Sequence, residues 1–188
     1  MEILYHASPV GGLTVLEPSV TEYFGKPRQV CLTASLPMAL LYGVRHFEYT
    51  YGYTAAGQLY YEEYFPHALE ELYRGKRASL YRCRRREDMM STAIPHEFVT
   101  PNPVPVLEET VIPDVCEALL EQERAGVLRI VRYAQRTEES REWTRREEAQ
   151  TILEQGLLRA DSDFARYMQE KYPDSWAMAQ AHKKETEQ

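Results

Sequence analysis

The sequence predicts an α+β fold: six or seven short strands with two short helices among them, followed by a helical appendage. Two observations point there. Apolar or alternating runs of strand length recur up to residue 112, each bounded by proline, glycine or asparagine. After Ile112 the apolar positions recur at helical spacing and charged residues take over. The expected division is a sheet domain over 1–112, a helical appendage over 113–182 and a disordered tail over 183–188.

The first strand, Ile3 to Ser8, runs apolar residues into His6 before Pro9 and Gly11-Gly12 break it. Pro9 to Gln29 reads as a long irregular connection of the kind that carries function. Val30 to Thr33 is a short strand, and Ser35 is a good N-cap for a helix with Pro37 in its first turn. Met38, Leu41 and Tyr42 would share one face of that helix, and Gly43 would end it. Phe47 to Tyr53 and Gln58 to Tyr64 are strand candidates, and Ala68 to Tyr73 is a short helix closed by Gly75. Ser79 to Cys83, His96 to Thr100 and Val104 to Thr110 complete the strands.

In the appendage, Asp114 opens a helix whose stripe of Val115, Leu119 and Leu120 must cover something. This appendage is expected to be dispensable for folding of the sheet domain. Leu128 to Leu158 is dominated by charge, as in Arg145-Arg146-Glu147-Glu148. A further helix runs from Ser162 to Tyr172, where Pro173 stops it, and Lys183 to Gln188 has no reason to order.

A net charge of −7 argues against a general nucleic-acid binder, which needs a basic face to displace counterions. The basic run Arg82 to Arg86 still leaves room for a small anion. Cys31, Cys83 and Cys116 are odd in number and lack metal-ligand spacing, so neither a disulfide framework nor a metal site is expected. Residue 2 is acidic, no apolar leader follows, and no apolar run reaches the ~20 residues of a membrane span. A cytoplasmic protein without membrane partners is the expectation. Nine of the fourteen tyrosines cluster between Tyr42 and Tyr81, and their rings and hydroxyls suit both strands and ligand pockets.

Three stretches together carry a resemblance: Leu4-Tyr5-His6-Ala7-Ser8, then Val30-Cys31-Leu32-Thr33-Ala34 leading to a helix with Ala39 and Tyr42, then Glu97-Phe98-Val99-Thr100. In that order and context they resemble the diphtheria-toxin and poly(ADP-ribose) polymerase branch of the ADP-ribosyltransferase fold, over roughly residues 3 to 110. The resemblance implies a split mixed sheet and NAD as substrate, without a metal. It implies that His6 binds a ribose hydroxyl and that Ser8 lies near the dinucleotide ribose. Glu97 would bind the nicotinamide-ribose 2′-hydroxyl, where a carboxylate stabilises an oxocarbenium-like cation. His6 and Glu97 would face each other across one cleft, as catalytic residues. The acceptor, a protein among the candidates, is left open.

Cys31 stands where the family has a stacking tyrosine, and Tyr42 or a tyrosine of the 47–64 stretch is the expected replacement. Ala7 and Met38 replace a glycine and a serine that meet the carboxamide. Two alternatives therefore stay open. One is a catalytically degenerate module of the same fold that binds a nucleotide or a protein. The other is an enzyme similar to RNA 2′-phosphotransferases, with Arg28 or the 82–86 run as its arginines.

Overall fold

The computed structural model describes residues 2–19 and 28–186, so part of the expected loop between Pro9 and Gln29 lies outside the described residues. The chain is α+β and divides into two compact units. One comprises Met1–Tyr61 with Leu69–Arg129, the other Glu62–Ala68 with Ile130–Gln188.

Ten strands are formed among the described residues: β1 (Ile3–Ser8), β2 (Val15–Leu16), β3 (Val30–Thr33), β4 (Tyr51–Tyr53), β5 (Leu59–Glu62), β6 (Ala78–Arg84), β7 (Met90–Ser91), β8 (Glu97–Thr100), β9 (Val104–Ile112) and β10 (Leu128–Val131). Seven build a sheet of order β2-β9-β6-β1-β3-β8-β7. Each of its pairings is antiparallel, where the sequence suggested a mixed sheet. A second sheet has the order β10-β5-β4.

β1 is the central strand, and all six of its residues are in register with β6, from Ile3 opposite Arg84 to Ser8 opposite Ser79. Against β3 it has one register pair, Tyr5 opposite Thr33. Because cross-strand partners share a face of the pleat, the even positions Leu4 and His6 turn the same way as Tyr81 and Cys83. That side holds a buried cluster of Leu4, Leu16, Leu32, Tyr81, Phe98 and Val104, among others. The odd positions Tyr5 and Ala7 turn to the other face, where Ala7 packs with Ala39 and Leu80.

That second face carries helix α1 (Leu36–Leu41), capped by the Ser35 side chain, which accepts from the Met38 N–H. All of Pro37 to Leu41 is buried, because helix α3 (Val115–Arg124) packs on α1 as the sheet does. Tyr42 is not on a shared buried face as expected; it is the C-cap and is 39% exposed. Gly43 follows because a Cβ there would lie 3.0 Å from the Ala78 Cβ and 3.3 Å from that of Ala7.

Asp114 caps α3 and also accepts from the Gly75 N–H at 2.9 Å, tying it to the end of helix α2 (Ala68–Tyr73). The α3 stripe is Val115, Cys116 and Leu119, all fully buried, with Leu120 at its margin. α3 thus belongs to the sheet unit, whereas the sequence reading drew a boundary at 112 and set it in the appendage.

Several local expectations change. The strand expected over Phe47–Tyr53 shortens to β4, since the Glu48 N–H turns back to His46 Nδ1 (3.0 Å) and Tyr49 Oη to the Val44 carbonyl (3.4 Å). Leu128–Val131 is strand, because its alternate residues Leu128 and Ile130 are buried. Pro173 opens a helix instead of merely stopping one: α6 (Pro173–Thr186) begins there, where its missing N–H costs nothing. The expected disordered tail is helical to Thr186 in α6, which packs on helix α4 (Glu138–Glu154) and on helix α5 (Asp163–Lys171). Among the described residues no helix is long and apolar enough to cross a membrane.

The helical unit is built around Arg136, whose side chain is 1% exposed. Its Nε lies 2.8 Å from Glu62 Oε1, and its Nη2 donates to the Ser140 hydroxyl (2.9 Å) and the Thr144 hydroxyl (2.6 Å). The guanidinium lies 4.7 Å from the centroid of the Tyr64 ring. Removing one partner of a buried ion pair strands the other, at a cost of about 3–5 kcal/mol. Arg136→Ala should lower stability by that amount. Both tryptophans, Trp143 and Trp176, lie in this unit, so denaturant unfolding followed by their fluorescence reads the loss directly. A shift of less than about 1 kcal/mol would mean the guanidinium is not integral to the unit.

Candidate functional site

The sheet register carries Tyr5 through Thr33 to Glu97, since Thr33 is opposite both. Glu97 therefore lies on the α1 face of the sheet. Its carboxylate accepts from the Thr92 hydroxyl at 2.8 Å. The five-residue connection from β7 to β8 is folded tightly to allow this. The Thr92 N–H donates to the Glu97 carbonyl (3.1 Å), and the Ile94 N–H to the Thr92 hydroxyl (3.0 Å). His96, just before Glu97, has φ of 65°, a left-handed conformation that costs a residue with a Cβ about 1–2 kcal/mol. The Ala34 N–H holds its carbonyl at 2.9 Å. Among the described residues no cationic side chain is paired with Glu97.

Three tyrosines lie within electrostatic reach of this carboxylate. Tyr42 and Tyr51 share a 2.8 Å hydroxyl–hydroxyl hydrogen bond, with ring centroids 5.9 Å apart at 74°. Tyr53 Oη donates to the Pro95 carbonyl (3.0 Å) and lies 3.3 Å from Met38 Sδ, which the Thr33 hydroxyl also meets at 3.4 Å. Burial is the first cause that raises all three phenols, and the negative charge of Glu97 raises each further. Tyr53 is pushed up to about 12, and Tyr42 goes well beyond the ordinary range. All three hence stay protonated near neutral pH and keep their donor hydrogens.

Behind them, Tyr42 stacks on Tyr49 at 5.0 Å and Tyr49 on His46 at 4.5 Å. His46 Nδ1 accepts from the Glu48 N–H, so Nε2 carries the proton and donates to Tyr73 Oη at 2.8 Å. Tyr73 Oη in turn donates to the Leu41 carbonyl at 3.2 Å. Burial lowers the His46 pKa to about 4, weakly opposed by the Leu41 carbonyl, and the ring is neutral.

His6 lies elsewhere. It is one residue from Tyr5 on a regular strand, so it falls on the face opposite Glu97, with its ring 6.4 Å from that of Tyr81. Nδ1 donates to the Cys31 carbonyl at 2.9 Å, in the place where β1 and β3 part company. Burial lowers its pKa against the pull of that carbonyl. The expected cleft shared by His6 and Glu97 is thus corrected: the alternation of the pleat separates them.

Ser8 accepts from the Val10 N–H at 3.1 Å and shapes the turn after β1. Cys31 alternates with Thr33 and therefore shares the Glu97 face, with its sulfur 3.8 Å from Gln29 Nε2. Tyr42, expected to supply the missing stacking ring, lies within electrostatic reach of Glu97. Tyr51 and Tyr53 were legible only as members of a tyrosine-rich stretch, and Thr92 had no sequence signal at all. Three of the four arginines of the basic run are engaged in ion pairs: Arg82 with Glu108, Arg85 with Glu2 and Arg86 with Asp88. Arg86 first, then Asn102 and Thr100, hold the Asp88 carboxyl far below the usual carboxylate range. No family model, curated protein or solved structure matches this chain.

The His46 geometry has a pH signature. The unfolded ring takes up its proton near the ordinary value of 6.5, and the folded one near 4. The unfolded state binds more protons between those values, so this contribution to stability is fully present above 6.5 and is lost as pH falls toward 4. At about 1.4 kcal/mol for each pH unit of displacement, the loss approaches roughly 3 kcal/mol. Denaturation at several pH values should show a shallower fall in His46→Gln than in the wild type. Parallel profiles would mean the ring is as free to protonate folded as unfolded.

Proposed function

We propose that this chain is similar to the ADP-ribosyltransferases and binds NAD on the Glu97 face of its sheet, with ADP-ribose transferred to an unidentified acceptor or to water. The observation that carries the reading is a carboxylate without a paired cation, set among three protonated tyrosines and oriented by Thr92. The strand order β1-β3-β8 supports it by making the three motif strands neighbours.

In this reading an aromatic ring of Tyr42, Tyr51 or Tyr53 supplies the stacking surface that Cys31 lacks. Cleavage breaks the bond between ribose C1′ and the nicotinamide nitrogen, and the electron pair leaves with neutral nicotinamide. Positive charge then spreads over C1′ and the ring oxygen. Glu97, uncompensated by a cation of the protein, is free to stabilise it. The acceptor oxygen or nitrogen bonds to C1′ and loses its proton to solvent or to the carboxylate.

A specific observation favours a second reading, a module that binds a nucleotide or a protein without cleaving NAD. His6 is committed to the Cys31 carbonyl on the far face, the Thr33 hydroxyl is turned to the Met38 sulfur and the Tyr53 hydroxyl to the Pro95 carbonyl. The ion pairs of Arg82, Arg85 and Arg86 weigh against an enzyme that gathers free arginines on an RNA phosphate.

The readings separate on three variants. Glu97→Gln should reduce nicotinamide release by about 10²-fold or more while NAD affinity stays within about tenfold, because the carboxylate acts mainly in the transition state. Tyr51→Leu should weaken NAD binding. His6→Ala should leave NAD affinity unchanged, since its ring is on the other face. Absence of both NAD binding by calorimetry and nicotinamide release over many hours would sink the transferase reading in favour of the binding module.

A further inference from the structure

The helical unit contains a cleft of about 260 Å³ that owes nothing to the Glu97 face. Its walls include the rings of Tyr64, Tyr133 and Tyr172 and the cations Arg141, Arg145 and Lys171. These come from the turn after β5, the 3-10 turn Tyr133–Gln135, α4, and the junction of α5 with α6.

The three cations are not equally occupied. Lys171 Nζ is 2.7 Å from Glu170, which also borders the cleft, and Arg145 is held by Glu138 and Glu142. Arg141 is different. Its guanidinium lies 4.7 Å from the Tyr133 ring centroid, and its Nη2 donates to the Tyr133 carbonyl at 3.1 Å. The carboxylate it approaches, Glu138, is 3.8 Å away and largely exposed, so solvent screens that pair. Its buried Nε finds no acceptor among the described residues. A guanidinium that rests on a ring and neutral carbonyls keeps most of its charge available. Asp174, the remaining carboxylate of the lining, faces the same space from the start of α6 and offsets part of the positive charge.

We propose that this cleft is a ligand site for a small planar ring bearing a carboxylate or phosphate, with Arg141 receiving the anionic oxygen. Arg136 and Arg141 each cover one face of Tyr64 and Tyr133, which leaves Tyr172 and the remaining faces for the planar group, and the guanidinium fork suits two oxygens of one anion. The volume limits the ligand to about the size of a single substituted ring. The site is independent of the NAD reading.

The test is calorimetric titration of the full chain with phenyl phosphate and with benzoate, against benzyl alcohol and inorganic phosphate as controls. Phenyl phosphate or benzoate should bind, benzyl alcohol and inorganic phosphate at least tenfold more weakly. Arg141→Gln should weaken binding at least tenfold and Arg141→Lys by less, with circular dichroism unchanged. If Arg141→Gln does not fold, Arg141→Lys takes its place, which keeps the charge but loses the fork and should weaken binding by a smaller but measurable factor. Equal binding of benzyl alcohol or of inorganic phosphate, no binding by either aromatic anion, or an affinity unmoved by these substitutions would each overturn the proposal.

Discussion

The antiparallel pairing of β1 with β6 over all six residues of β1 is the constraint on which the sheet unit depends. It commits Leu4 and His6 to the Tyr81 side and Tyr5 and Ala7 to the α1 side. Slipping by one residue would exchange both sets and bury the wrong side chains. The same alternation is then passed through Thr33 to Glu97. Which face Glu97 occupies is therefore decided by the register of three strands and by nothing in its own neighbourhood.

What that face contains follows from how tyrosine tolerates burial. Phenol is neutral at ordinary pH, so Tyr73 can be wholly buried while its hydroxyl spends both a donor and an acceptor on Leu41 and His46. Histidine tolerates it less well. Burial keeps His46 neutral, and neutral partners on both ring nitrogens fix its tautomer. The outcome is a polar aromatic network linked through hydroxyls, a neutral imidazole and backbone carbonyls. In such surroundings the one charge that Glu97 contributes reaches the Tyr42, Tyr51 and Tyr53 hydroxyls together.

Short-range chemistry was readable in the sequence, and long-range parity was not. Ser35, Asp114 and Ser162 cap helices because their side chains accept from the N–H three residues on, a local event. β3 runs from Val30 to Thr33, as its apolar run and its flanks required. By contrast, β2 and β7 are two residues each, too short to carry a period, and exist because neighbouring strands offer them partners. The fate of Pro173 shows the ambiguity of a single residue: the ring that blocks continuation of α5 is equally suited to open α6. His6 and Glu97 were each placed on the correct strand, yet their relation required two registers that no motif encodes.

The separation of His6 from Glu97 also redistributes the electrostatic work. A histidine beside a carboxylate shares its proton and can neutralise it. Here the ring donates to a backbone carbonyl and burial keeps it neutral, so the far face carries no charge at that position. Glu97 accepts from the Thr92 hydroxyl at 2.8 Å, a neutral donor that orients the carboxylate without cancelling its charge. The ion pairs of the helical unit show the opposite economy: Arg136 and Glu62 satisfy each other and hold structure, leaving neither free to act on anything else.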